Sequence, residues 1–196
     1  MKQDIILSGV GGQGIVSIAS VIGLAALEEN FYIKQSEVHG MSQRGGAVMS
    51  HLRVSSKPIA SDLISTGGAD IILSVEPMES LRYLPYLSDK GWVVTNSKPF
   101  INIDNYPEIE SVINELTKLP HSLMADAEQL AEEAGSVRTS NMIILGVASP
   151  LLSLSAEALE KGIQKLFSSK SQDIIDMNIK AFRIGRNFSI NKGIKA

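Results

Sequence analysis

Apolar residues change their spacing several times along the chain, and each change marks an element. Ile5-Ile6-Leu7 is a short unbroken apolar run stopping at Gly9, the pattern of a strand buried on both faces. From Ile15 the spacing turns helical, with Ile15, Ile18, Ala19, Ile22, Ala25 and Ala26 on one face. Asn30, which tolerates the left-handed conformation, ends that helix. A strand is expected from Phe31 to Val38, and the polar, glycine-bearing stretch from His39 to Gly46 reads as a loop. Ala47 to Val54 alternates, placing Val48, Ser50, Leu52 and Val54 on one side of a strand. Ser55 to Gly68 reads mainly as loop, with Ile59 and Leu63 dipping into the core.

Ile71-Ile72-Leu73-Ser74-Val75 and Trp92-Val93-Val94-Thr95-Asn96 are two further buried strands. Pro77 to Leu87 between them reads as a helix, with Pro77 in the first turn, where its missing N–H leaves no bond unmade. Strand, helix, strand at this spacing is a parallel βαβ unit. Pro99, Pro107 and Pro120 divide the next stretch and leave room for one short helix between Pro107 and Leu119. Leu123-Met124-Ala125 predicts a last strand before a helix from Ala127 to Ala134. Beyond it, Met142 to Val147 form a small-residue helix closed by Pro150, and Ser155 caps a helix striped by Leu159, Ile163, Leu166 and Phe167. A final helix aligns Ile174, Asn178, Ala181, Phe182 and Gly185. The expected architecture is one α/β domain over residues 1–196, a doubly wound, mostly parallel sheet with a Gly-rich first βα turn and a helical C-terminal end.

Composition narrows the possible functions. The 196 residues suit one well-filled core, and 44% hydrophobic with 20% charged residues is an ordinary globular make-up. A mean hydropathy of +0.11 is on the high side for a free monomer and fits a chain that buries surface against a partner. With a net charge of −3 and 5% aromatics, the one basic cluster (Lys180, Arg183, Arg186, Lys192, Lys195) is a poor nucleic-acid footprint. No apolar stretch reaches bilayer length and the N-terminus lacks a leader pattern, so the expectation is a cytoplasmic protein with neither membrane nor nucleic acid as partner. There is no cysteine, which excludes disulfides, a thiol nucleophile and a thiolate-held iron–sulfur cluster on this chain.

The strongest local motif is Gly9-Val10-Gly11-Gly12-Gln13-Gly14, lying between the first strand and the first helix. Glycine lets backbone turn tightly and approach a ligand, and the helix N-terminus offers free N–H groups to an anion. Gly9, Gly11 and Gly14 satisfy the dinucleotide spacing G-x-G-x-x-G, so the turn either cradles a phosphate or serves close strand–helix packing. Glu37 stands where a ribose-binding acid would be expected, yet it runs directly into His39-Gly40-Met41-Ser42-Gln43-Arg44-Gly45-Gly46, a loop no dinucleotide site requires.

Together, Gly9–Gly14, the Glu37–Gly46 segment and Arg53 resemble the gamma domain of 2-oxoacid:ferredoxin oxidoreductases, and the wording around His39 to Gly46 is most similar to the beta subunit of the indolepyruvate branch. Asn141 to Gly146 and Asn178 to Gly185 resemble later parts of the same domain. The resemblance implies one subunit of a heteromeric enzyme that oxidatively decarboxylates arylpyruvates to aryl-acetyl-CoA and passes electrons to ferredoxin. It implies too that a large partner subunit holds thiamine diphosphate and the iron–sulfur clusters, with CoA as co-substrate. The cofactor-contacting residues expected on this chain are Gly9, Gly11, Gly12, Gln13, Gly14, His39, Arg44 and Gly45, with no metal ligand and no assigned catalytic residue.

Individual side chains leave alternatives open. His39 and Arg44 either meet an anion, such as a CoA phosphate, or fix loop carbonyls and a partner surface. If the second strand runs parallel to the first, both glycine-bearing loops open on the same edge of the sheet, and Gly11–Gly14 and Arg44 converge. His51 reads as structural or exposed, Asn141 as a helix cap and Asn178 as a structural hydrogen-bonder. Glu76 and Glu79 end a parallel strand, where they either meet a ligand or favour the helix dipole. Two other readings stand beside the oxidoreductase subunit: a free-standing NAD(P)-binding oxidoreductase, drawn from the glycine spacing and Glu37, and a non-catalytic nucleotide-binding or scaffold module.

Overall fold

The sheet of this computed structural model, which describes residues 1–39, 46–101 and 103–194 (His39 by its backbone), grows from the apolar runs. Among the described residues it has six strands: β1 Lys2–Val10, β2 Tyr32–His39, β3 Ala47–Ser55, β4 Ala69–Ser74, β5 Leu87–Asn96 and β6 Ser122–Ala125. Their order is β2-β3-β1-β4-β5-β6. β4 lies parallel to β1 and β5, and β6 parallel to β5, while β3 is antiparallel to both β1 and β2. β1 and β2 therefore run the same way with β3 reversed between them, and the sheet is mixed but mostly parallel.

The helices are α1 Ile15–Glu28, α2 Pro77–Arg82, α3 Ile109–Thr117, α4 Ala127–Ala134, α5 Ser140–Ala148, α6 Ala156–Leu166 and α7 Gln172–Asn191. β1 is apolar on consecutive positions because both faces are covered. Ile5 and Leu7 join a large core with α1 and α4–α7, and Ile6 joins a smaller one with α3, flanked by α2. The chain leaves β1 through α1 on one face and β4 through α2 on the other. The winding thus reverses between β1 and β4, the place where open α/β sheets form a crevice at their carboxyl edge.

The elements match the sequence reading closely, with local differences. The expected Pro77–Leu87 helix stops at Arg82, and a 3₁₀ turn at Leu84–Tyr86 follows, because Pro85 offers no N–H to continue an α-helix. In the β3–β4 connection Leu63 is 55% exposed and Ile64 takes the buried place. The reason is local: Ile64 N–H donates to His51 Nδ1, while Arg53 Nη1 donates to the carbonyls of Ser61 and Leu63. Arg53 also pairs with the buried Asp4 at 2.8 Å, a clamp at the edge of the sheet opposite the glycine turn.

Helices α5 and α7 touch backbone to backbone. A methyl group at Gly146 would overlap the carbonyl of Phe182, and one at Gly185 would overlap the carbonyl of Ile143. Neither position has room for any side chain. This contact fixes α7 against the middle and end of α5, and both helices contribute residues to one cleft.

Candidate functional site

The glycine turn delivers α1 with an unmasked N-terminus. Gly14 occupies the N-cap in the left-handed region (φ 83°) and no side chain caps the helix. A side chain there would be strained and would strike the Asn141 amide. Gln13 does not cap either, because its Oε1 turns back to accept from Val10 N–H at 2.8 Å. The remaining turn amides are left for another acceptor. Gly9 is a packing glycine, since a methyl group on it would overlap Val75, and Gly11 N–H donates to the Gly46 carbonyl at 2.9 Å.

A second helix start faces the first. The 3₁₀ turn Val137–Thr139 leads into α5, whose N-cap Thr139 makes no side-chain cap bond. Asn141 is the second residue of α5 rather than its N-cap, yet its Oδ1 accepts from the first-turn Met142 N–H at 3.0 Å, while its Nδ2 donates to the Gly14 carbonyl at 3.3 Å and ties the two helix starts together. Between them lies a cleft of about 620 Å³, within the range of small-molecule sites. Its polar lining includes Gly12, Gly14, Ser17, Arg138 and Ser140, and its apolar lining Phe167, Ile174 and Met177. Arg138 is exposed and, among the described residues, pairs with no carboxylate. At the start of α5 the Ser140 N–H is taken by the Val137 carbonyl and the Met142 N–H by Asn141 Oδ1, so the open start of α1 and one unpaired guanidinium are what suit an anion, phosphate above all.

The crevice beyond β1 and β4 narrows to a cavity of about 160 Å³ lined by Gln13, Val75, Asn96 and Glu128 among others, and the acids that follow β4 turn away into the fold. Glu76 is fully buried and caps α2, its carboxylate accepting from Glu79 N–H at 2.8 Å, from the Tyr106 hydroxyl and from Phe100 N–H. Burial pushes Glu76 above the ordinary carboxylate value despite those bonds, and burial next to Glu76 pushes the Tyr106 hydroxyl up as well. Glu79 is 2% exposed and pairs with Arg82. Both acids are committed to the fold.

The placement of the expected site residues is uneven. Gly12, Gln13 and Gly14 line the cleft. His39 ends β2 in register with Val48, which is also the partner of Gly9, so the two strand ends open on the same edge. Arg44 and Gly45 lie outside the described residues. Glu37 is opposite Ser50, and β3 stands between it and β1, so it is not the neighbour of the glycine turn that a ribose-binding acid must be. Its carboxylate accepts from Gln35 Nε2 at 3.1 Å. Arg53, part of the same sequence signature, is at the far edge with Asp4. His51 is buried, its imidazole held neutral by burial, and packs edge-on against Tyr86. Asn178 makes the structural bond expected of it, Nδ2 to the Ile174 carbonyl at 2.7 Å, and also borders the cleft. Sequence reasoning missed Arg138; the signal for it was the polar run Ser136 to Asn141 ahead of an apolar helix.

Among the described residues no cluster of His, Asp and Glu could hold a metal ion, and no helix is long and apolar enough to cross a membrane.

Residues 4–188 match the family described as pyruvate ferredoxin/flavodoxin oxidoreductase. The chain is 39% identical to the indolepyruvate oxidoreductase subunit IorB of Pyrococcus horikoshii, over 94% of this chain and 95% of that one. It is 34% identical to the subunit of the same name from Archaeoglobus fulgidus, over 97% of both chains. Among solved structures, its fold is similar to that of the gamma subunit of a keto/oxoacid ferredoxin oxidoreductase from Geobacter sulfurreducens, with a TM-score of 0.72, 23% identity and coverage of 100% of this chain and 99% of that one. It is also similar to part of a 2-oxoglutarate:ferredoxin oxidoreductase from Magnetococcus marinus that holds 2-oxoglutarate, coenzyme A and succinyl-CoA. That TM-score is 0.77 at 21% identity, and the match covers 97% of this chain but 31% of the longer one.

Proposed function

Because the chain belongs to the pyruvate ferredoxin/flavodoxin oxidoreductase family, we propose that it is the small subunit of an indolepyruvate (arylpyruvate):ferredoxin oxidoreductase and that its cleft takes the phosphates of coenzyme A. A chain without cysteine holds no thiolate-bound cluster, so electrons released by the oxoacid travel through a partner subunit. Thiamine diphosphate and the clusters of that large subunit would supply decarboxylation and electron transfer to ferredoxin. This chain's part is binding and orientation. Amides at the start of α1 and the Arg138 guanidinium hold the anionic end of CoA, which sets where its thiol can reach.

Arg138, with no carboxylate partner among the described residues, beside the uncapped start of α1 is the observation that carries this reading. Arg44, five residues after His39 in the sequence, is proposed as a second cation for the same anion or for an acidic group of the large subunit. Titration calorimetry of CoA into the chain tests it. Removing a charge-assisted contact costs about 1.5–3 kcal/mol, so Arg138→Ala should weaken CoA roughly ten- to hundredfold, with Arg44→Ala measured beside it. Exposed Lys90→Ala is the control. Arg53→Ala would be a poor one, since it breaks the buried Asp4 pair. Wild-type affinity in the Arg138 variant would refute the assignment. Co-expression with the large subunit should yield a stable complex with all iron on the partner, and a chain that stays monomeric there would sink the subunit reading.

A further inference from the structure

β2 ends the sheet, and among the described residues no strand pairs with its other side. The direction of its backbone groups follows from β3. At the two ends of β3, Ser56 N–H donates to the Met1 carbonyl and the Gly46 carbonyl accepts from Gly11 N–H, so even-numbered residues there turn toward β1. In an antiparallel ladder the direction alternates residue by residue, so the odd-numbered Met49, His51, Arg53 and Ser55 face β2, opposite Val38, Ser36, Lys34 and Tyr32. Ile33 and Gln35 therefore point N–H and C=O outward from the sheet. Natural edges are blunted by proline, by a bulge, by a covering element or by a lysine that stands guard. β2 has no proline, and its register with β3 runs unbroken from Tyr32 to His39. Its one lysine bends back, Lys34 Nζ donating to the Ala60 carbonyl. Two large apolar side chains stand out from this strand instead, Tyr32 at 51% exposure and Val38 at 54%.

We propose that this edge pairs with the same edge of a second copy of the chain, antiparallel about a two-fold axis at Gln35. A two-fold perpendicular to the sheet keeps each face on its own side, so odd residues meet odd and even meet even. An axis at Gln35 sets Tyr32 opposite Val38 of the second copy, and Val38 opposite its Tyr32. Outward-turning residues make the hydrogen-bonded pairs, so Tyr32 and Val38 meet in a non-hydrogen-bonded pair, where side chains come closest. Aromatic against β-branched is a favourable cross-strand pair, and Lys34 meets Ser36 rather than a like charge. An axis at Ser36 would set Lys34 against Val38 and leave Tyr32 with no residue of β2 opposite it. The two carboxyl edges face opposite ways in this arrangement, so the pairing stands apart from whatever the cleft binds.

Sedimentation velocity of the full chain over rising concentration tests the pairing, and the wild-type chain should pass from monomer to dimer. Gln35→Pro removes one outward N–H and no bond of the β3 ladder, with Gln35→Ala as the control for its side-chain bonds to Glu37 and Ser50. Val38→Lys replaces an exposed residue and brings its ammonium near Lys34 of the second copy. Gln35→Pro and Val38→Lys should each weaken dimerisation about tenfold or more, with circular dichroism spectra like the wild type. Because the chain has no cysteine, the double variant Tyr32→Cys/Val38→Cys reads the register: oxidation should join two copies, and neither single variant should cross-link. A wild-type chain still monomeric at about 1 mM, the weak end of specific association, overturns the pairing. So does a dimer that both edge variants leave intact, or one that the double variant fails to cross-link. A monomeric wild-type chain whose assembly with the large subunit is lost in Gln35→Pro would give the edge to that subunit and overturn self-pairing.

Discussion

Alanine at Gly185 should damage this protein although it improves helix propensity. Gly185 lies within α7, where glycine costs about 1 kcal/mol relative to alanine. The added methyl would overlap the Ile143 carbonyl, with the Val147 amide nitrogen at 2.9 Å. These are backbone atoms of α5 and cannot rotate away as a side chain could, so the helices must part. Ile143, Val147, Ala181 and Phe182 are fully buried along that contact. Forcing a methyl into a packed core costs typically 1–3 kcal/mol and occasionally more, and a rigid backbone neighbour puts this case at the upper end or beyond. After the gain in propensity a net loss of about 2 kcal/mol remains, or about 4–8 °C in Tm for a chain of this size. The contrast is Gly23→Ala in α1, whose methyl would meet the flexible end of Ile33 at 3.2 Å and should leave Tm equal or slightly higher. Thermal melts followed by far-UV circular dichroism measure both variants. A Gly185→Ala protein as stable as the wild type would refute the close-contact argument. Since α7 carries Ile174, Met177 and Asn178, the variant should also bind CoA more weakly.

Two buried acids should respond to pH with opposite sign. Glu76 is raised by burial above its ordinary 4.5, so the folded state holds its proton more tightly than the unfolded chain. Its contribution to stability therefore falls as pH rises through the window from 4.5 to the raised value, and wild type should lose stability relative to Glu76→Gln there in urea denaturation; a pH-independent difference would contradict this. Burial works to raise Asp4 too, but the Arg53 and Lys2 partners bring it below 3.8, so its stabilisation is present above 3.8 and lost as pH falls through the lowered value. Asp4→Asn leaves the Arg53 guanidinium without its partner carboxylate, at 15% side-chain exposure, and should cost about 3 kcal/mol at neutral pH; a loss under about 1 kcal/mol would show that the clamp is dispensable.

How far the sequence could be read depended on the range of each interaction. The apolar runs at Ile5–Leu7 and Ile71–Val75, the Asn30 stop (φ 59°) and the Ser155 cap are local signals, and the structure reproduces them. The insertion of β3 between β2 and β1 is a matter of long-range pairing with no local trace, and it separates Glu37 from the glycine turn. The bond between Asn141 and Gly14 spans 127 positions, so the local reading found only half of its role, the bond from the first-turn Met142 N–H, and not the tie to the glycine turn. Arg138 looks like any loop arginine until the fold sets it in the cleft beside the start of α1, with no carboxylate partner among the described residues. Glu76 had two readings from its place at a strand end, ligand contact or first-turn charge, and its complete burial under Tyr106 favours the structural one. Family resemblance supplied what physical patterning could not, the link between two glycine-bearing loops and an oxidoreductase subunit.

The proposed CoA-binding cleft can be read out in steady-state ferredoxin reduction by the complex of this chain with its large subunit, comparing wild-type and Arg138→Ala chains over CoA and indolepyruvate concentrations. The variant should raise the KM for CoA about tenfold or more, with kcat at saturating CoA and KM for the oxoacid close to wild type. An unchanged KM for CoA, or a defect confined to the oxoacid, would remove CoA from this cleft.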